Sequence, residues 1–180
     1  SAGGAPHIQQ GLVWRFSDEK KQWRTSLSVD FVALETSAYV NRQDFLSRLN
    51  AVVVALNAAF RPAEVQRLGL RYINRLTDDA VERIGELIQP QVLGILQPNK
   101  GPRLGFGDGI LHVLTEAQLR SVEGHIQARW GKLPPNTTYD ADALEPVSKE
   151  SWVLDLDMFT LSPQKFVADQ LQVTATKFVE

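Results

Sequence analysis

The sequence predicts an α+β protein in which an antiparallel sheet is crossed by helices. Apolar and polar residues alternate over 23–31 and again over 152–159, the period-two pattern of half-buried strands. Apolar residues recur at three-and-four spacing over 45–60, as an amphipathic helix requires. The chain has 180 residues, 43% of them hydrophobic and 22% charged, so a sizeable core can form.

The first elements are predicted to be a hairpin, a helix and a strand. We expect strands over 11–16 and 23–31, joined by a charged turn. Asn41 is placed to cap the following helix, and Pro62 should end it. A strand over 65–76 comes next.

A second helix is predicted after that strand, because a capping hydroxyl and two acids stand at 77–79. It should end by Pro90. The turn-rich stretch 97–102 then forms the best internal boundary.

The remaining chain predicts strands over 109–115, 119–130 and 152–159 and a final helix that begins at Ser162 and Pro163. The polar loop 134–150 separates the last two strands. Loops of this length are usually functional or disordered, and we expect disorder here.

The domain organisation follows from these elements. Residues 1–10 are expected to be a disordered lead-in or an expression scar, followed by two α+β halves over 11–96 and 103–180. A strand and helix occur in similar order in both halves, at 27–31 and 154–158, so a pseudo-repeat is one interpretation. Chance similarity and a single joint domain are the alternatives.

Charge and composition exclude several classes of function. The net charge of −2 and the pI near 5.9 argue against broad binding to nucleic acid or anionic membranes. The absence of cysteine excludes disulfides, thiolate catalysis and cysteine-ligated zinc, and it fits a cytoplasmic protein. The longest apolar run, 51–56, is far short of the roughly 20 residues that span a bilayer.

An arginine row is the sharpest site hypothesis. In a strand over 65–76, Arg67, Arg71 and Arg75 share one face, while Tyr72 lies on the other. Arg71 and Arg75 would be roughly 13 Å apart, too far for one phosphate but suited to separate carboxylate partners. The acids predicted to pair with the row are Asp30, Asp155 and Asp157. A ligand site formed by Arg67, Arg71, Tyr72 and Arg75 and a solvated charged face remain alternatives.

No complete catalytic or metal site accompanies the row. Asp155 and Asp157 share a strand face and could hold Mg²⁺ or act as an acid and base, but further ligands are not signalled nearby. The glycines of 105–109 lack the lysine of a phosphate loop and favour a tight turn. We therefore predict no metal or cofactor and lean against an enzyme.

Several segments resemble a sporadically distributed family of prokaryotic conserved hypothetical proteins. The segments are 14–16, 27–34, Tyr39 with Phe45, the strand Arg71-Tyr72-Ile73-Asn74-Arg75, and the late strand Leu154-Asp155-Leu156-Asp157. The resemblance implies the α+β fold and a prokaryotic origin but no established activity. It also implies an earlier start than Gly11, so we expect the sequence to be part of a longer protein.

The predicted function is a non-catalytic protein-interaction or assembly module of a prokaryotic cytoplasmic system. The helix segment 51–56 is apolar on nearly every side, and the four tryptophans fall in predicted strands, which favours core or subunit-interface packing. A protein partner or a homo-oligomer is expected, with no membrane and no nucleic acid. The alternative is a protein that binds a small anionic ligand or a nucleotide over the arginine row.

Overall fold

The computed structural model describes residues 12–97 and 109–179. Within these ranges the chain is a mixed α+β protein with antiparallel sheets, which confirms the predicted fold class. The predicted lead-in 1–10 lies outside the described residues, as do 98–102 of the boundary and 105–108 of the glycine turn. Among the described residues, no helix combines the length and apolarity needed to cross a membrane.

The described strands and helices have the following bounds. The strands are β1 Trp14–Ser17, β2 Trp23–Leu27, β3 Val32–Thr36, β4 Glu64–Val65, β5 Gly69–Thr77, β6 Val113–Arg120, β7 His125–Leu133, β8 Ser151–Phe159 and β9 Gln164–Lys165. The α-helices are α1 Arg42–Phe60, α2 Asp79–Glu82, α3 Ile84–Leu87, α4 Pro90–Leu93 and α5 Ala168–Lys177.

The chain divides into two compact units. The three-stranded unit comprises residues up to Ala63 together with Phe166–Val179, and the four-stranded unit comprises Glu64–Lys165. The predicted halves, 11–96 and 103–180, both contribute to the four-stranded sheet, β5 from the first and β6 to β8 from the second. The pseudo-repeat is not confirmed, because α5 belongs to the three-stranded unit, whereas β8 belongs to the other.

The three-stranded unit begins with the antiparallel sheet β1-β2-β3. Its first turn is closed by Asp18, whose carboxylate accepts hydrogen bonds from the backbone N–H groups of Gln22 and Trp23. The prediction of a single strand over 23–31 is wrong. A tight turn interrupts it, in which the Ser28 N–H donates to the Phe31 carbonyl at 2.8 Å, and alternation alone cannot distinguish a strand from a strand with a turn.

Helix α1 begins where its sequence predicts. The side chain of Asn41 accepts a hydrogen bond from the Asp44 N–H at 2.9 Å, which satisfies one of the free donors of the first turn. Leu46 and Val53 are buried on one side of α1, and Leu171 is buried on α5, which packs against α1. The inward stripe of α1 is therefore narrow, although the helix is apolar over a wider arc.

The final helix starts later than predicted. The cap expected at Ser162 does not form, because residues 164–165 instead pair as strand β9 with β4. Helix α5 begins at Ala168, and Val167 at its N-cap makes no side-chain capping hydrogen bond. Backbone pairing with a distant strand has here displaced a local helix signal.

The single helix predicted after Thr77 is also wrong, since the region forms the short helices α2, α3 and α4. Asp78 precedes α2 with a φ of 54° and makes no side-chain capping hydrogen bond. Gly85 lies within α3 and weakens helix formation. A four-residue helix leaves most of its backbone groups unpaired, so tertiary contacts decide where each turn forms.

The four-stranded unit is built on an antiparallel sheet in the order β5-β8-β7-β6. In the register of β5 and β8, Arg71 lies opposite Asp157 and Arg75 opposite Val153. These residues share the face that we call the arginine face. The four tryptophans all lie in strands, as predicted.

The strands of this sheet approach closely at Gly131 of β7. Its φ is 153°, and a Cβ atom there would lie 1.9 Å from the carbonyl oxygen of Val113 on β6. Only glycine allows this approach.

Candidate functional site: the arginine face

The arginine face carries two of the predicted arginines on β5 and both predicted aspartates on β8. Arg71 and Arg75 lie within β5, whereas Arg67 lies in the chain just before it. Asp155 and Asp157 lie two residues apart on β8, so their side chains share this face. Antiparallel pairing of the two strands is what brings the oppositely charged side chains together.

Arg71 is the centre of the face. Its Nε donates to Oδ1 of Asp155 and its Nη2 donates to Oδ2, both at 2.8 Å. Its Nη1 donates to Oδ2 of Asp140, also at 2.8 Å. The guanidinium therefore holds one carboxylate with its two-pronged edge and a second carboxylate with the remaining nitrogen, a geometry that fixes the orientation of all three groups.

Asp155 receives further donors. The hydroxyl of Tyr139 donates to its Oδ2 at 3.0 Å, and Nη1 of Arg129 lies 3.5 Å from the same oxygen. The side chain of Asp155 is 1% exposed. A buried carboxylate is stable only when its oxygens have enough hydrogen-bond donors nearby. The two nitrogens of Arg71, the hydroxyl of Tyr139 and the guanidinium of Arg129 provide them.

The ionisation of the cluster follows from these contacts. Hydrogen bonding to Asp155 raises the pKa of Arg71, so its charge is permanent. Burial raises the pKa of Tyr139 to about 12, and the charge of Asp155 adds to the rise. Burial alone would also raise the pKa of Asp140, but the hydrogen bond and charge of Arg71 outweigh it, and that pKa is lowered. The phenol is thus a neutral donor at physiological pH.

The loop 134–150, which joins β7 to β8, covers this part of the face. Tyr139 and Asp140 bind the charged cluster, and Leu144 packs in the core with Leu133 and Val153. The prediction that this loop is disordered is wrong. This polar stretch is ordered because Tyr139, Asp140 and Leu144 find partners on the sheet.

Arg67 lies at the rim. Its Nη2 donates to Oδ2 of Asp157 at 2.7 Å, and its guanidinium lies 4.4 Å from the ring centre of Phe159. The side chain is half exposed, so water screens the ion pair and reduces its contribution to stability. Arg67 is therefore held less firmly than Arg71.

Arg75 differs from both. Its Nη1 donates to the backbone carbonyl of Glu145 at 2.6 Å, while its Nε and Nη2 are buried without a hydrogen-bond partner. The hydroxyl of Ser151 on β8 is also buried without a partner. This end of the arginine face thus has donors that the structure leaves unsatisfied.

The other predicted site residues lie elsewhere. Tyr72 points to the opposite face of β5 from Arg71, because adjacent strand residues alternate. Asp30 is exposed in the turn between β2 and β3 and belongs to the three-stranded unit.

Five residues of the site were not predicted: Arg129 and Ser151 on the sheet, and Tyr139, Asp140 and Glu145 in the loop 134–150. Arg129 lies on β7 directly opposite Asp155, and the alternation of β7 could have placed it on this face. The three loop residues could not be predicted, because an irregular loop has no periodic sequence pattern that shows where its side chains lie. Their contribution depends on the tertiary fold alone.

The chemistry of the face is that of an internally neutralised cluster. The oxygens of Asp155 accept several hydrogen bonds, so this carboxylate is poorly placed to act as a free base. In the described part of the chain, no group of three or more His, Cys, Asp or Glu side chains is arranged to hold a metal ion.

Comparisons with known proteins add no family or homologue to this picture. Neither a protein-family model, nor a curated protein, nor a solved structure matches the chain.

Proposed function

We propose that the chain is a non-catalytic protein-interaction or assembly module of a prokaryotic cytoplasmic system. Arg67, Arg71 and the acids Asp140, Asp155 and Asp157 are engaged in ion pairs within the chain. Much of the exposed apolar surface is concentrated in the three-stranded unit. The observation that carries the proposal is strand β1, which exposes Trp14 and Phe16.

Strand β1 has the features of a docking edge. Among the described residues it pairs with β2 alone, so its other backbone edge has no strand partner there. Trp14 is 47% exposed and Phe16 is 59% exposed, and they project from the same side of the strand. An edge strand with large apolar side chains favours addition of a further strand from another chain.

Exposed apolar residues are unevenly distributed between the two units. Of the 17 large hydrophobic residues exposed in the described chain, 11 belong to the three-stranded unit. That unit accounts for the smaller part of the described residues. An excess of this kind is typical of a surface that a partner covers, since scattered exposure would follow the size of each unit.

The proposal is tested by light scattering over a wide range of protein concentration. We expect the wild-type chain to associate, and the double variant Trp14→Ser and Phe16→Ser to shift the midpoint of association to at least tenfold higher concentration, about 1.4 kcal/mol. Val122→Ser is the matched control, because Val122 is 97% exposed in the four-stranded unit. A wild-type chain that stays monomeric throughout, or an equal shift in the control, would contradict assembly through β1.

Binding of a small anionic ligand over the arginine face is the second candidate function. Most of the face argues against it, because Arg71 and Arg67 already bind acids of the same chain. One observation favours it, the two unsatisfied donors of Arg75.

A further inference from the structure

Strand β5 presents the same two-pronged donor twice. In Arg71, Nε and Nη2 both bind the carboxylate of Asp155. In Arg75, the same two nitrogens are buried and have no partner. The pair of parallel N–H groups is the edge of a guanidinium that matches a planar carboxylate.

The register explains why the second donor pair is unsatisfied. Asp155 lies opposite Ile73, two residues beyond Arg71 along β5. Ser151 lies opposite Thr77, two residues beyond Arg75. Ser151 therefore has the same position relative to Arg75 as Asp155 has relative to Arg71, but it supplies a hydroxyl where the first pair has a carboxylate.

The hydroxyl of Ser151 is a second, independent indication that a hydrogen-bond acceptor is missing next to Arg75. The residue is 1% exposed, and its hydroxyl has no hydrogen-bond partner. Unpaired buried donors are costly, and the cost is greatest for a charged group such as Arg75. Two oxygens held in one plane could accept from both nitrogens of Arg75, and the Ser151 hydroxyl could donate to one of them.

We infer that Arg75 and Ser151 form a binding site for a small carboxylate. The site refines the second candidate function and does not depend on assembly through β1. The carboxylate is either a free small molecule or the side chain of Glu145, because that residue is exposed and its backbone carbonyl already contacts Arg75. Nε and Nη2 of Arg75 are buried, so a free carboxylate can reach them only if the neighbouring segment around Glu145 moves aside.

The test is thermal unfolding in sodium acetate, compared with sodium chloride at the same ionic strength. We expect saturating acetate to raise the Tm of the wild-type chain by about 5 °C. Arg75→Lys keeps the charge but loses the two-pronged edge, so it should abolish the rise. Arg83→Lys is the control and should retain the rise, because Arg83 pairs with Glu86 at the exposed surface.

Two further variants separate the sources of the carboxylate. Glu145→Gln removes the internal competitor and should lower the acetate concentration at half effect if Glu145 occupies the site. Ser151→Asp supplies a carboxylate from β8 and should abolish the rise of Tm in acetate. This variant therefore tests the inference even if Arg75→Lys does not fold.

The absence of any acetate-specific rise in both the wild type and Glu145→Gln would overturn the inference, as would an equal rise in Arg75→Lys. Light scattering in acetate distinguishes this result from the assembly proposal, since ligand binding at Arg75 should leave association through β1 unchanged.

Discussion

Arg71 and Arg75 lie four residues apart on the same face of one strand, yet their surroundings differ. Arg71 binds two carboxylates, one of them buried. Arg75 binds one backbone carbonyl and keeps two buried donors unpaired. The comparison teaches that an arginine row does not have one role, because each guanidinium takes its role from the strand and loop that face it.

The difference arises on β8 rather than on β5. On the arginine face, β8 presents Asp157 and Asp155, then Val153 and Ser151. Val153 packs with Leu133 and Leu144 in a hydrophobic core cluster. The face therefore changes from charged to apolar halfway along, and Arg75 lies beyond the last acid.

The largest expected effect is the difference in stability between a variant without Arg71 and a variant without Arg75. Arg71→Leu leaves Asp155 buried without its main partner and should lower the free energy of unfolding by about 3–5 kcal/mol. Arg75→Leu loses one hydrogen bond but also removes two unpaired donors, so it should change stability by about 1 kcal/mol or less. Urea unfolding of both variants measures the contrast, and equal losses would show that the two arginines are equivalent.

The second prediction concerns a variant that places an aspartate next to Arg75. Ser151→Asp should pair with Arg75, and a double-mutant cycle with Arg75→Leu should give a favourable coupling of about 2 kcal/mol. Ser151→Asn is the control, because it has a similar size and no charge. Equal coupling for the aspartate and asparagine variants would mean that Arg75 does not reach the side chain at position 151.

The smallest expected effect concerns the loop contact at Tyr139. Tyr139→Phe removes a hydrogen bond to Asp155 and should cost about 1–2 kcal/mol at neutral pH. The folded pKa of Tyr139 is raised to about 12 from the ordinary value of 10.0, so its neutral form stabilises the fold.

That contribution should be complete below pH 10 and should be lost as the pH rises through 12. Urea unfolding over this pH range should therefore bring the wild type and Tyr139→Phe closer together. Subtracting the tyrosinate absorbance of the variant from that of the wild type gives the titration of Tyr139 alone. A midpoint at the ordinary value would contradict both the burial of Tyr139 and its contact with Asp155.

Local signals predicted the elements whose cause lies within a few residues. The cap of α1 is one case, because Asn41 and Asp44 form it without help from distant residues. The alternation of β8 is another, since it assigned Asp155 and Asp157 to one face before any partner was known. The prediction failed at the single helix after Thr77, where Gly85 lies within one of three short helices. It also failed at the cap at Ser162, where pairing of residues 164–165 with β4 outweighs local preference.

The sequence predicted only part of the candidate site. The sequence identified Arg67, Arg71 and Arg75 as one row and proposed acids on β8 as partners. It did not indicate that the loop 134–150 would add Tyr139 and Asp140 to the cluster, because an irregular loop carries no periodic signal.

By itself, the sequence determined the α+β class, the strand that carries the arginines and the spacing of its charges. The tertiary structure decided which of those charges are neutralised. The physical reason is that periodicity fixes the side of a strand on which a residue lies, whereas partnership depends on register with a strand about 80 residues away. That register places the carboxylate of Asp155 within reach of Arg71, whereas the corresponding position relative to Arg75 is occupied by Ser151, which has no carboxylate.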